Sequence, residues 1–182
     1  MDALADMPTL EEVDAELARR SFRDYLPWMW PIIEPATTFV PNWHIDAIAD
    51  HLDAVLRGSL RDLLILMPPR MMKSITATVA FPTWAWTQNP ALRFLCASYS
   101  LELSTADAVK SRRILDSPKY RTAFGHLFKM TSDQNVKTHY ENDKTGYRIS
   151  TSVGGAGTGR GGDILICDDA HNLEEIHSEA KR

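Results

Sequence analysis

The stretch that decides the fold is Leu63–Ser74, LLILMPPRMMKS. Five apolar residues, Leu63–Met67, form a run of strand length and lead through Pro68, Pro69, Arg70, Met71 and Met72 into Lys73-Ser74. A continuous apolar run predicts a strand covered on both faces. Lys-Ser opening a helix predicts a phosphate-binding turn, because a helix N-terminus and a lysine together offset phosphate charge. The pattern G-x-x-x-x-G-K-[ST] carries glycine where this chain has Met67 and Met72. Glycine serves there when the backbone needs a positive φ or close phosphate approach. The loop alone therefore leaves two readings open, a nucleotide cradle or a Lys-Ser pair that only starts a helix.

Outward from this loop, the chain alternates apolar strands with helices. Ser74–Trp86 reads as a buried helix that Pro82 kinks or splits. Arg93–Tyr99 is a second strand, Ser100 caps a helix to about Leu115, and Pro118–Lys129 adds another helix. Val136–Glu141 and Tyr147–Ser152 flank Asn142–Gly146 as a hairpin. A glycine-rich loop, Gly154–Gly162, leads into Asp163–Cys167, a third buried strand ending in Asp168-Asp169. This order predicts an α/β fold with a mostly parallel sheet flanked by helices.

Upstream, Thr9-Leu-Glu-Glu12 is a capping-box pattern and predicts a helix to about Arg23. Residues 25–43 contain four prolines and three tryptophans, which predicts an irregular apron packed by aromatics. His44–Arg57 has helical apolar spacing and stops at Gly58. The organisation read from this is an N-terminal helix and apron over 1–42 and an α/β core over 43–182.

Composition bounds the function classes. At 182 residues and 44% apolar, the chain can bury one core. Its two cysteines, Cys96 and Cys167, read as buried reduced thiols rather than a disulfide. No apolar stretch approaches the ~18 residues of a membrane helix, and the expectation is a soluble, cytoplasmic protein. The net charge of −4 argues weakly against a nucleic-acid binder. Its distribution is uneven, however: residues 1–62 hold twelve acids and five bases, and residues 109–148 hold nine bases and four acids. A positive middle segment is compatible with a polyanionic partner, and equally with an ordinary solvated surface.

Ligands of such sheets sit at the carboxyl ends of strands. Two strand ends here carry matching chemistry. A nucleoside triphosphate needs a lysine for its β/γ-phosphates, a hydroxyl for Mg²⁺, a metal-holding carboxylate and a second carboxylate to orient water. Lys73, Ser74, Asp168 and Asp169 supply those four in the order that P-loop ATPases use.

With these residues assembled, LLILMPPRMMKSITATVAFPTWAW, FLCASYS, RILDSPKYRTAFGHLF and GTGRGGDILICDDAHN resemble the N-terminal ATPase domain of the large terminase subunit of tailed bacteriophages. The resemblance covers roughly Trp43 to Asn172, and PPR-x-x-KS, ASYS and TGRGGD are its most specific parts. It implies a P-loop NTPase of the ASCE type that hydrolyses ATP with Mg²⁺. Pro69, Arg70, Met71, Met72, Lys73 and Ser74 would form the nucleotide loop, with Ser74 and Asp168 holding the metal. Asp169 would stand in the place of the catalytic carboxylate. Arg70 would sense or neutralise the γ-phosphate, and Arg160 would lie where some relatives place a trans-acting arginine. An arginine that only holds the glycine loop accounts for Arg160 equally well. Adenine contacts in the family fall upstream of the loop, where Asn42–Ile45 offers Trp43 or His44 but no glutamine.

The partners implied are double-stranded DNA, a terminase small subunit, a portal protein and further copies of the chain in a ring, in the bacterial host cytoplasm and without a membrane. Because the sequence stops thirteen residues after Asp169, it reads as a fragment or prophage remnant lacking the nuclease domain. Two alternatives remain at this stage: another nucleic-acid-dependent ATPase of the helicase kind, or an inactive interaction module. His171 and His177 around Glu174-Glu175 do not have zinc-site spacing, and a solvated helix start explains them.

Overall fold

The computed structural model describes residues 7–132, 135–155 and 161–171. It is an α/β fold, a four-stranded mixed sheet flanked by helices. Three helices precede the loop: α1 (Leu10–Arg20), α2 (Phe22–Ile33) and α3 (Trp43–Leu56). A π-helical stretch, Ile75–Ala80, then runs directly into α4 (Phe81–Gln88). After them come β1 (Phe94–Ser98), α5 (Leu101–Asp116), α6 (Pro118–Phe124), β2 (His139–Glu141), β3 (Tyr147–Ser152) and β4 (Ile164–Cys167). The strand order is β2-β3-β1-β4, with β1 parallel to both β3 and β4 and β2 antiparallel to β3. Two of the three pairings are parallel, as expected of strands joined by helices.

The N-terminus begins as its capping box predicts. Thr9 Oγ1 accepts from Glu12 N–H at 3.2 Å, and Thr9 N–H donates to Glu12 Oε2 at 2.8 Å. Where one helix to Arg23 was expected, the chain breaks at Ser21 and restarts, because Ser21 caps a second helix through Asp24 N–H at 3.2 Å.

The irregular apron expected from residue 25 onward is corrected here, since α2 runs through Pro27 and Pro31. Each interior proline costs about 3 kcal/mol. Against that, α2 buries Phe22, Tyr25, Leu26, Trp28, Met29 and Ile33 along one face. At about 1.5–3 kcal/mol per large side chain, burial outweighs both prolines. The aromatic packing itself is as read: Phe22 rests against Trp84 with ring centroids 5.0 Å apart, and Trp28 against Phe124 at 5.2 Å. α1 and α2 thus share one hydrophobic core with the sheet helices.

Leu63–Met67 departs from its predicted role. It pairs with no strand among the described residues, and its side chains alternate between half-buried and exposed. Leu64 and Leu66 are 80% and 83% exposed. A continuous apolar run shows that both faces can be covered, not that both are. On β4, Leu165 is 67% exposed and Cys167 is exposed too, against the expectation of a buried strand and two buried cysteines. Cys96, in the central strand, is fully buried as read.

The basic middle segment is also less free than its charge count. Arg148 lies in the core, Arg112 and Arg121 pair with Asp116, Lys110 with Glu34 and Lys144 with Asp143. Lys119 lies over the Trp28 ring and donates to the Trp28 carbonyl at 2.6 Å.

The packing predicts a sharp contrast between two residues of the N-terminal third. Met29→Ala, at a fully buried site on α2, is expected to lower unfolding free energy by about 2–5 kcal/mol. Trp43→Ala, at a residue 79% exposed, should change it by less than ~0.5 kcal/mol. Denaturant titration of both variants checks this, and a costlier Trp43→Ala would contradict the packing.

Candidate functional site

The loop and the distant carboxylates meet. Lys73 Nζ donates to Asp169 Oδ1 at 2.6 Å and lies 3.2 Å from Asp168 Oδ1, although Asp169 is 96 positions further along the chain. Both carboxylates leave the C-terminal end of β4, which sits beside β1. Asp168 N–H donates to the Ala97 carbonyl at 2.9 Å, and Tyr99 N–H donates to the Asp169 carbonyl at 2.9 Å. The sheet's hydrogen bonding therefore extends one step past both strand ends and fixes where the acids lie.

The loop meets its backbone demand without glycine. Arg70 and Met72 take φ values of 66° and 63°, in the left-handed region, while Met71 does not. Alternating φ signs of this kind turn successive N–H groups toward a shared concavity that suits an anion. A non-glycine residue there carries strain of order 1 kcal/mol or more. At Met72, whose position holds glycine in the general pattern, the side chain packs against the hydrophobic core and offsets that strain. Met67, at the other glycine position, needs no positive φ. Pro69 and Arg70 are exposed, and Arg70 makes no ion pair among the described residues.

Lys73 and Ser74 form the first helical residues after the loop, so the lysine projects from a helix start toward the strand end. Contact with Asp169 first, then Asp168, raises the Lys73 pKa above its ordinary value despite partial burial. The ammonium is held charged. The Asp168 side chain is 12% exposed and that of Asp169 57%, so the first is sheltered and the second faces solvent. Asp169 itself has a φ of 47°, another left-handed residue at a chemically loaded position.

Among the described residues, no group of three His, Cys, Asp or Glu side chains is arranged to hold a metal by itself. Ser74 and Asp168 offer one hydroxyl and one sheltered carboxylate, oxygen donors of the type that a hard cation such as Mg²⁺ takes.

Of the remaining sequence candidates, Arg160 lies outside the described residues. Trp43 and His44 line a shallow apolar groove between α3 and Leu63–Met67. No helix among the described residues is long and apolar enough to cross a membrane.

Sequence reading missed Asp107. It lies on α5 between Ser104 and Ser111, both buried, and burial pushes its carboxyl up to about 6 against the lowering effect of Arg148, with Asp168 and Asp169 adding to the rise. The available signal was faint: small polar residues at helical spacing, Ser104, Asp107 and Ser111, on a helix that must pack one face inward. No protein-family model, no curated protein and no solved structure matches this chain.

The raised pKa of Asp107 has a defined consequence. Between an ordinary value near 3.8 and about 6, the folded protein holds a proton that the unfolded chain has lost. Its contribution to stability therefore falls as pH rises through that window and stays low above it. Asp107→Asn, which mimics the protonated acid, is expected to stabilise the fold at pH 7.5 by about 1–2 kcal/mol. It should also flatten the dependence of Tm on pH between 4 and 6. Identical slopes for variant and parent in thermal melts across that range would refute this.

Proposed function

We propose that this chain is a Mg·ATP-binding, ATP-hydrolysing module of the kind found in the large terminase subunit of tailed bacteriophages, where ATP turnover drives DNA into a procapsid. The observation that carries the reading is the meeting of Lys73 with Asp168 and Asp169 at 3.2 and 2.6 Å. Lys-Ser pairs and strand-terminal acids are each common. Their convergence across 96 positions, at a helix start and a strand end, is much less so.

In this reading Lys73 changes partners when nucleotide binds. Its ammonium, now held between two carboxylates, turns to the β/γ-phosphates, and N–H groups of the Arg70–Ser74 turn take phosphate oxygens. Ser74 and Asp168 would hold Mg²⁺, which supplies charge neutralisation on the phosphates. Asp169, released from Lys73, orients a water and accepts its proton as the water oxygen bonds to the γ-phosphorus. The bond from that phosphorus to the bridging oxygen breaks, leaving ADP and inorganic phosphate. Arg70, at the loop's exposed edge, suits charge developing on the γ-phosphate. The assignment of Arg160 as a trans-acting arginine rests on the sequence resemblance alone, as do the DNA, small-subunit, portal and ring-forming partners and a place in the host cytoplasm.

The helicase-like alternative shares every residue of this site, and no observation favours it. An inactive interaction module predicts something different, namely no nucleotide binding.

Isothermal titration with Mg·ATP is the direct test. Saturable binding by the parent chain should weaken by at least about 100-fold, or ~2.7 kcal/mol, in Lys73→Ala. Asp169→Asn should keep nucleotide affinity and lose ATP turnover by at least about 100-fold. No saturable binding by the parent at millimolar Mg·ATP would overturn the reading, and unchanged turnover in Asp169→Asn would overturn the role given to that acid.

A further inference from the structure

The helix that carries Lys73 and Ser74 is irregular in one place. Ile75–Ala80 is wound as a π-helix for six residues, between the Lys73-Ser74 start and α4. Such a stretch is rare and has an identifiable cause. Pro82 has no N–H to give to the Thr78 carbonyl four residues back, and its ring crowds that carbonyl. The Phe81 N–H reaches instead to Thr76, five back.

The carbonyls set free are taken from outside the helix. Ser111 Oγ, from α5, donates to the Val79 carbonyl at 2.9 Å and approaches the Thr78 carbonyl at 3.5 Å. Arg148 Nη2, from β3, donates to the Thr78 carbonyl at 3.4 Å. The guanidinium is itself braced, with Nη1 donating to Ser150 Oγ at 2.9 Å and Ser150 Oγ donating to the Ser104 carbonyl at 3.0 Å.

Arg148 is 1% exposed and forms no ion pair within 4.0 Å among the described residues. Its Nε, with Thr76 Oγ1 and Thr78 Oγ1 from the π stretch, lacks a hydrogen-bond partner among them. A buried charge held this way is costly, and an apolar side chain of similar volume would pack as well. Filling space does not account for an arginine here. Capping the freed carbonyl does, with the charge of nearby Asp107 also in its favour.

The downstream half of the helix cannot adjust. Trp84 Nε1 donates to the Ala18 carbonyl at 3.1 Å, Trp86 Nε1 to the Leu92 carbonyl at 2.8 Å, and Tyr120 OH to the Thr83 carbonyl at 2.8 Å. With α4 anchored, the winding of Ile75–Ala80 sets the direction in which Lys73 and Ser74 leave the helix start. Rewinding that stretch as α would turn the start about the helix axis and swing Lys73 off the β4 carboxylates.

We infer that Arg148 is a positioning residue for the nucleotide loop: with Ser111, it holds Ile75–Ala80 in the π winding that aims Lys73 and Ser74 at Asp168 and Asp169. The inference deepens the nucleotide-binding reading of this site and rests on it for its functional consequence. Its structural half, the winding, is measurable without nucleotide.

The experiment pairs Mg·ATP titration with amide hydrogen exchange on the whole chain and on Arg148→Met, Arg148→Lys and Ser111→Ala. Arg148→Met is expected to weaken Mg·ATP binding at least about tenfold, and Arg148→Lys, which keeps a donor, to recover much of it. Exchange over Lys73–Phe81 should change at least about tenfold in Arg148→Met while that of residues 84–88 stays as in the parent. Ser111→Ala, the smaller change, should move the same amides in the same direction and covers the case in which Arg148→Met does not fold. Parent-like exchange over Lys73–Phe81 in the folded variants would overturn the inference. So would a folded Arg148→Met that binds Mg·ATP as tightly as the parent. A parent chain that binds no Mg·ATP, yet shows the local exchange change, would sink the nucleotide reading while leaving the winding role of Arg148 in place.

Discussion

The contact between Lys73 and the two acids at the end of β4 is the constraint around which this molecule is organised. It joins a loop that no strand pairing holds to the edge of the sheet, and it does so at the helix start, where positive charge already gathers. Its strength as a stabilising interaction is modest. Lys73 and Asp169 are partly open to water, and pairs of that kind contribute about 0–1 kcal/mol. Its importance is geometric. One ammonium set between two carboxylates fixes the loop against the end of β4, with one negative charge left over.

Behind that contact stands a second constraint, Pro82. A proline in a fully buried helix leaves carbonyls that water cannot reach, and such groups must find partners. Ser111 and Arg148 supply them. The result is a polar seam between the helix, α5 and β3 inside an otherwise aromatic core. Thr83 belongs to the same logic: its hydroxyl donates to the Ala80 carbonyl at 2.7 Å and meets the Tyr25 hydroxyl at 2.8 Å. Burial without a partner would cost each of these groups more than a hydrogen bond returns. Their arrangement therefore tolerates little change, and the helix start it supports inherits that rigidity.

Away from the aromatic core the packing is more open. Leu64 and Leu66, in the run before the loop, and Leu165 and Cys167, on β4, are exposed. β1 alternates buried and half-buried residues, so its two faces are not equally covered. The site is thus built on a well-packed face and borders a bare one.

Much of this was legible in the residues themselves. The capping box at Thr9, the helix stop at Gly58, the hairpin around Asn142–Gly146, the strands at Phe94–Ser98 and Ile164–Cys167 and the chemistry shared by Lys73 and Asp168-Asp169 are all legible from local residue types and spacing. Local chemistry misjudged α2, because the cost of Pro27 and Pro31 is visible in sequence and the six buried side chains that outweigh it are not. It also read Leu63–Met67 as a covered strand and Cys167 as buried, since apolar character records what a residue tolerates and not what surrounds it. Only the tertiary structure could place Arg148 and Asp107 beside the site, because their roles arise from carbonyls freed on one element and donors or charges offered by others. Sequence determined which groups exist and at what intervals. Packing decided which of them meet, since burial energy summed over many side chains outweighs any single local preference.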